Sequence, residues 1–245
     1  MFGFDFFAGG VACGEWFTIE LGNLKSLVVT SKHPRYDSSC HIATIALLAH
    51  AEAFFRGHFA SMINICPQLV RNLKKATNRD ISIDTAELLD LLRQEMWGFL
   101  LAQKYEFNNP KSINRLFTDL IGVTPFSMTE VKRYQLLIDD RNLLVHHGGI
   151  YKSGGKIRSP VKPGVRVFYD SVVIPRSEFG ARAFFVEGLI RKTLDVSGKA
   201  LRKFIHDQNI ALEKDRQDAL EMVDAILKHP QIIDVADFID VDDDW

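Results

Sequence analysis

Cysteine is sparse, with only Cys13, Cys40 and Cys66 in 245 residues. Their wide spacing offers neither a disulfide framework nor a paired ligand pattern, so each reads as a small buried hydrophobe in a reducing compartment. No stretch approaches the roughly 18 apolar residues that a membrane span requires. The run Ile42 to Ala49 stops at His50 and Glu52. No basic segment precedes the first apolar residues, so the sequence reads as cytoplasmic, with no secretory signal and no membrane partner. Neither sign of charge prevails, Lys+Arg numbering 30 against Asp+Glu 31. That balance removes any global attraction to nucleic acid and leaves local clusters as the only route to it. His41, His50 and His58 are nine and eight residues apart, and His206 and His229 stand alone. No metal and no cofactor are expected.

What is present is apolar material and helical periodicity. At 47% hydrophobic residues the chain can bury one sizeable core. Residues 1–36 mix glycine and aromatics with two β-prone runs, Thr18-Ile19-Glu20-Leu21 and Leu27-Val28-Val29-Thr30. They read as an N-terminal extension holding two short strands or irregular packing. From Asp37 the spacing turns helical. Asp37, Ser38 or Ser39 caps a helix from about His41 to Met62, which Cys66-Pro67 ends. A short helix follows through Leu69 to Lys75. Asp84 with Glu87 is a capping-box signature for a helix reaching about Tyr105. Asn108-Asn109-Pro110 is a turn, Ser112 to Leu120 a short helix stopped by Gly122, and Ser127 or Thr129 the cap of the next. In that helix Val131, Tyr134, Leu137 and Ile138 form a stripe continued by Val145, and Gly148-Gly149 closes it.

Residues 150–176, rich in glycine and proline around Val165 to Tyr169, read as a loop and β-hairpin inserted between helices. A helix from Ser177 to about His206 and a charged one from Ala211 to Lys228 complete the body. The expected fold is therefore mostly all-α: an up-and-down bundle over 37–229, with a small β-hairpin insertion. The last residues, 230–245, carry six aspartates and no lysine or arginine. They read as a solvated acidic tail, or as a motif docking on a basic surface through Phe238, Ile239 and Trp245.

The chemistry concentrates in Arg141-Asn142-Leu143-Leu144-Val145-His146. Asn142 and His146 are four apart and share a helix face, with Arg141 on the adjacent flank. An imidazole with an ordinary pKa of about 6.5 can take the proton of a ribose 2′-hydroxyl. A guanidinium can hold a phosphate oxygen and stabilise its developing charge, and Asn142 can orient His146 or donate to the same phosphate. Such attack needs no metal, since RNA carries its own nucleophile. A histidine at a helix end also serves simply to satisfy terminal carbonyls.

The segment Arg141 to Ile150 resembles the conserved helix end of the HEPN superfamily: an arginine, a polar residue, and a histidine after four to six intervening positions. The likeness spans roughly residues 37–210, and only the short motif is specific. It implies a four- or five-helix bundle that pairs as a homodimer, the arginines and histidines of both subunits forming one composite, metal-independent ribonuclease centre. It also implies a place in toxin–antitoxin or antiviral defence, with an antitoxin or defence-system partner protein. Many members are instead non-catalytic dimerisation or interaction modules that bind a partner protein or a nucleotide ligand. His147 departs from the usual small or amide residue and is an auxiliary candidate. Glu52 and Glu95 interrupt apolar faces and either pair inside the bundle or contribute at the site. Directly after the motif, Lys152, Lys156, Arg158, Lys162 and Arg166 form a basic stretch, extended by Arg176 and Arg182, suited to an RNA phosphate backbone. Tyr151 or Tyr169 would stack on a base. A solvated loop accounts for the same residues.

Overall fold

The computed structural model describes residues 12–30, 38–77, 97–149, 172–207 and 213–228. Every regular element among them is helical: α1 (Cys13–Thr30), α2 (Ser38–Ile65), a 3-10 turn at Pro67–Leu69, α3 (Val70–Thr77), α4 (Trp97–Gln103), α5 (Pro110–Ile121), α6 (Met128–His147), α7 (Arg176–Asp207) and α8 (Glu213–Ile226).

The 28-residue α2 is the axis of the assembly, packed by α1, α4, α6, α7 and α8. Its sequence explains why. From Gly57 to Asn64 every residue is buried; no charged side chain interrupts this stretch, and its polar ones bond internally, His58 to Ser197, Ser61 to Gly57 O and Asn64 to Gly98 N–H. Phe55 meets Phe126 at 5.4 Å and Tyr134 at 6.4 Å, while Phe59 meets Phe107 and Phe117, all edge to face. Two glycines let neighbours cross closely. A Cβ at Gly57 would stand 2.7 Å from Cys13 Sγ of α1. One at Gly98 of α4 would overlap the Ala60 carbonyl oxygen, and the Gly98 N–H donates to Asn64 Oδ1 at 2.7 Å.

Helix ends follow local chemistry. Asn109 caps α5 by accepting from Lys111 N at 2.9 Å, with Pro110 in the first turn and left-handed Gly122 (φ 75°) at the exit. Asn114 then pins the turn, donating to Phe126 O at 2.8 Å and accepting from Phe126 N at 2.9 Å. Ser127 and Glu130 form a reciprocal capping box on α6. At the other end Gly148 and Gly149 adopt φ of 58° and 78°, and Gly149 N–H donates to Leu143 O at 3.0 Å. Val172 N–H donates to Gly149 O at 2.7 Å, so the described chain resumes where it left off.

The expected β structure is corrected. Thr18 to Leu21 and Leu27 to Thr30 lie within α1 rather than in strands. Phe17, Leu21, Leu24 and Val28 recur at helical spacing and are buried against α2, and that tertiary gain overrides local β propensity. The Thr18 hydroxyl is absorbed in the helix by donating to Gly14 O at 3.0 Å. No β-hairpin insertion is present among the described residues. Val172 to Pro175 is non-strand chain with Val172 and Ile174 buried, and α7 begins at Arg176, inside the span assigned to the insertion. Among the described residues eight α-helices stand where four or five are expected. The Asp84–Glu87 cap, residues 150–171 and the acidic tail lie outside the described residues.

Candidate functional site at the end of α6

On α6 the core-facing stripe runs through Val131, Tyr134 and Leu137, all buried. Its next member is Arg141, one turn past Leu137. Val145, expected to extend the stripe, is 46% exposed, and Leu144 is buried instead.

Arg141 is half-buried. Its guanidinium donates from Nη1 to Asn142 Oδ1 at 3.2 Å, and its buried Nε has no hydrogen-bond partner. With Leu48 and Glu52 of α2, Asn108, Tyr134 and Ile138 it lines a shallow, open notch. Glu52 ion-pairs with Arg56 at 2.7 Å rather than with Arg141. Burial lifts the Tyr134 phenol well above its ordinary range; the Glu52 carboxylate adds to this and the Arg141 charge opposes it. Tyr134 is thus a neutral hydroxyl beside the guanidinium at any physiological pH. The sequence places Tyr134 on the core stripe, and its position two turns before Arg141 on that stripe is the signal that also brings it to the notch.

His146 and His147 are exposed on the last turn, and Asn142 is half-buried. The Asn142 carboxamide oxygen is taken by Arg141, not by His146. Arg141 and His146 are five residues apart, hence about 140° apart round the helix and about 7.5 Å along it. One chain therefore does not place guanidinium and imidazole on a common face. It turns Arg141 to the notch on one flank and leaves His146 facing solvent on another, one turn beyond Asn142.

Of the other candidates, Glu95, Tyr151, Lys152, Lys156, Arg158, Lys162 and Arg166 lie outside the described residues. Arg182 is removed from the basic stretch. It is buried, and its guanidinium pairs with Glu178 and, at 2.8 Å, with Asp140 of α6. Asp140 therefore ties α6 to α7 within the chain, and Asp139 accepts from Gln135 at 3.0 Å. Lys192 adds a second tie, to Glu130 at 2.6 Å. Among the described residues no three His, Cys, Asp or Glu side chains cluster as metal ligands, and no helix is long and apolar enough to cross a membrane.

Comparison with protein-family models, with curated proteins and with solved structures finds no match to this chain.

Proposed function

We propose that the protein is a metal-independent endoribonuclease acting on single-stranded or looped RNA. The observation that carries this reading is the exposed imidazole of His146 on the glycine-closed last turn of α6, one turn beyond an Asn142 held by the Arg141 guanidinium. Neutral His146 takes the proton of a ribose 2′-hydroxyl, and the freed oxygen attacks the adjacent phosphorus. Arg141 holds a non-bridging oxygen as charge builds on the phosphorane. The 5′-oxygen leaves with a proton from a second imidazole, giving a 2′,3′-cyclic phosphate and a 5′-hydroxyl end. Since Arg141 and His146 of one chain face apart, the working unit in this reading is a homodimer in which each centre draws on both chains. The likeness of Arg141–His146 to the HEPN motif supports the same chemistry and suggests a cellular setting in toxin–antitoxin or antiviral defence.

The test is cleavage of a labelled RNA in excess chelator by the wild type, His146→Ala and Arg141→Ala. Loss of general base catalysis costs about 10²- to 10⁴-fold. Undiminished cleavage by both His146→Ala and the His146→Ala/His147→Ala double variant would remove the mechanism. A second reading, a non-catalytic interaction module, is favoured by the inward turn of Arg141, whose Nε is buried in the notch beside Glu52. It predicts no cleavage under any condition together with saturable binding of a phosphate- or carboxylate-bearing ligand that Arg141→Ala abolishes.

A further inference from the structure

We infer that the notch beside Arg141 reads guanine: the Glu52 carboxylate accepts from the Watson–Crick edge of a guanine base in the RNA whose phosphate Arg141 holds. This rests on the ribonuclease reading for its ligand, and it gives Glu52, unused by that mechanism, a role in choosing the site of cleavage.

Three parts of the chain bring the polar groups of the notch together. Glu52 comes from α2, Asn108 from the connection between α4 and α5, and Tyr134 and Arg141 from α6, with the apolar side chains of Leu48 and Ile138 beside them. Asn108 is set in place by its neighbour. Phe107 is buried against Phe59 at 5.4 Å, so the exposed Asn108 that follows it is delivered to the rim. The Arg56 guanidinium lies 5.9 Å from the centre of the same Phe107 ring, and Arg56 donates to Glu52 Oε1 at 2.7 Å. The carboxylate is therefore held in one orientation, and among the described residues its Oε2 makes no hydrogen bond or ion pair.

Opposite charges line this notch without meeting. Glu52 pairs with Arg56, and no carboxylate among the described residues pairs with Arg141. An anion alone would face the Oε2 atom of Glu52, and a cation alone would face Arg141. A nucleotide answers both groups, because it joins a neutral base bearing N–H donors to an anionic phosphate. Burial keeps the Tyr134 phenol protonated, so the wall between the two groups adds no charge.

The carboxylate then chooses among bases by matching donors to lone pairs. Guanine presents N1–H and the N2 amino group side by side, and an acceptor-only carboxylate takes both in a fork. Adenine and cytosine set a ring-nitrogen lone pair beside their amino group, and uracil flanks its single N–H with two carbonyl oxygens. Each of these would press a lone pair against a carboxylate oxygen. The O6 atom of guanine accepts from the Asn108 carboxamide. Single-stranded RNA leaves this edge open to a protein, whereas pairing in a duplex consumes it.

The test is fluorescence anisotropy of short labelled oligoadenylates binding the full-length His146→Ala/His147→Ala protein, which keeps the RNA whole. One internal position carries adenosine, guanosine or inosine, the last being guanosine without its N2 amino group. Guanosine should bind about tenfold more tightly than adenosine, as a bidentate contact to a base edge allows, and inosine should forfeit most of the gain. Adding Glu52→Gln should erase the preference and leave the all-adenosine oligomer bound as before, with unchanged circular dichroism; adding Asn108→Ala, at an exposed position, should weaken guanosine binding alone. A Glu52 that serves only the fold would weaken all three oligomers alike. Equal affinity for guanosine and adenosine, a preference that survives Glu52→Gln, or no binding of any oligomer overturns the inference. Cleavage by the wild type is scored separately. Guanosine-selective binding that depends on Glu52, in a protein that never cuts RNA, sinks the nuclease and keeps the notch, whereas cutting without regard to guanosine does the reverse.

Discussion

Acidifying the solution should destabilise this protein through one residue, His58, before its carboxylates are titrated. His58 is 1% exposed on α2, with the rings of Phe54 and Phe117 stacked beside it at 5.6 and 6.1 Å. Its Nε2 lies 2.8 Å from Ser197 Oγ of α7. The Ser197 hydroxyl donates to Thr193 O at 2.6 Å, so its oxygen accepts the Nε2–H of a neutral ring. Nδ1 is buried without a partner, and no group is placed to receive a second proton. Burial accordingly lowers the pKa from 6.5 to about 4. Between those values the unfolded chain binds a proton that the folded chain refuses, so stability falls as pH falls through the window. The full gap is worth about 3 kcal/mol, of which about 2 kcal/mol is lost between pH 7.5 and pH 5. The assay is urea unfolding followed by circular dichroism at several pH values, on the wild type and His58→Phe. The substitution keeps a flat ring between Phe54 and Phe117 and leaves Ser197 bonded to Thr193, so it should cost only about 1 kcal/mol at pH 7.5. It should also erase the wild type's extra loss on acidification, so that the two stability profiles converge or cross by pH 5. Profiles that stay parallel across the window would refute the assignment of a neutral, proton-refusing ring.

If each catalytic centre draws on two chains, an equimolar mixture of inactive Arg141→Ala and His146→Ala proteins should regain RNA cleavage, since about half of its dimers carry one intact copy of each group; a mixture as inactive as its components would show that no such sharing occurs. Arg182→Ala strands Asp140, whose side chain is only 13% exposed, and should cost about 3 kcal/mol by urea unfolding; a loss below about 1 kcal/mol would mean that α6 and α7 do not depend on this tie. Gly98→Ala should cost about 1 to 3 kcal/mol, because its methyl meets the backbone of α2. Gly188→Ala, where a Cβ would meet nothing within 4 Å, should instead stabilise α7 by about 1 kcal/mol. Equal thermal shifts for these two substitutions would contradict the close crossing of α4 on α2.

The helix ends legible in the sequence are those decided by neighbours in the chain. Gly122, Ser127 and Gly148-Gly149 each act over four residues or fewer and mark ends of α5 and α6 as expected, whereas Pro110, expected in a turn, opens α5 two residues before Ser112. The N-terminal segment was misread for the opposite reason. Two β-prone runs are local features, whereas the helix that contains them is selected by burial of Phe17, Leu21, Leu24 and Val28 on a helix further along the chain. At the candidate site, the identity and spacing of Arg141, Asn142 and His146 could be read directly. Their surroundings could be read only in part. The spacing of Val131, Tyr134 and Leu137 continues the stripe to Arg141, but burial of Leu144 in place of Val145 depends on packing between helices distant in the chain. The capture of Asp140 by Arg182 joins positions 42 residues apart and has no local trace.

The hydrogen bond from Val172 N–H to Gly149 O brings together the two points where the chain leaves α6 and approaches α7. The stretch between those two residues leaves and re-enters at one point, so its length and composition can change without moving α6 or α7. Closure entropy grows slowly with length, about 0.6 kcal/mol for each doubling, so replacement by a longer or shorter stretch carries little thermodynamic penalty. Its lysines and arginines depart from the residues that follow His146 and His147. Rewriting this stretch alone would therefore leave the helical frame and the end of α6 as they are.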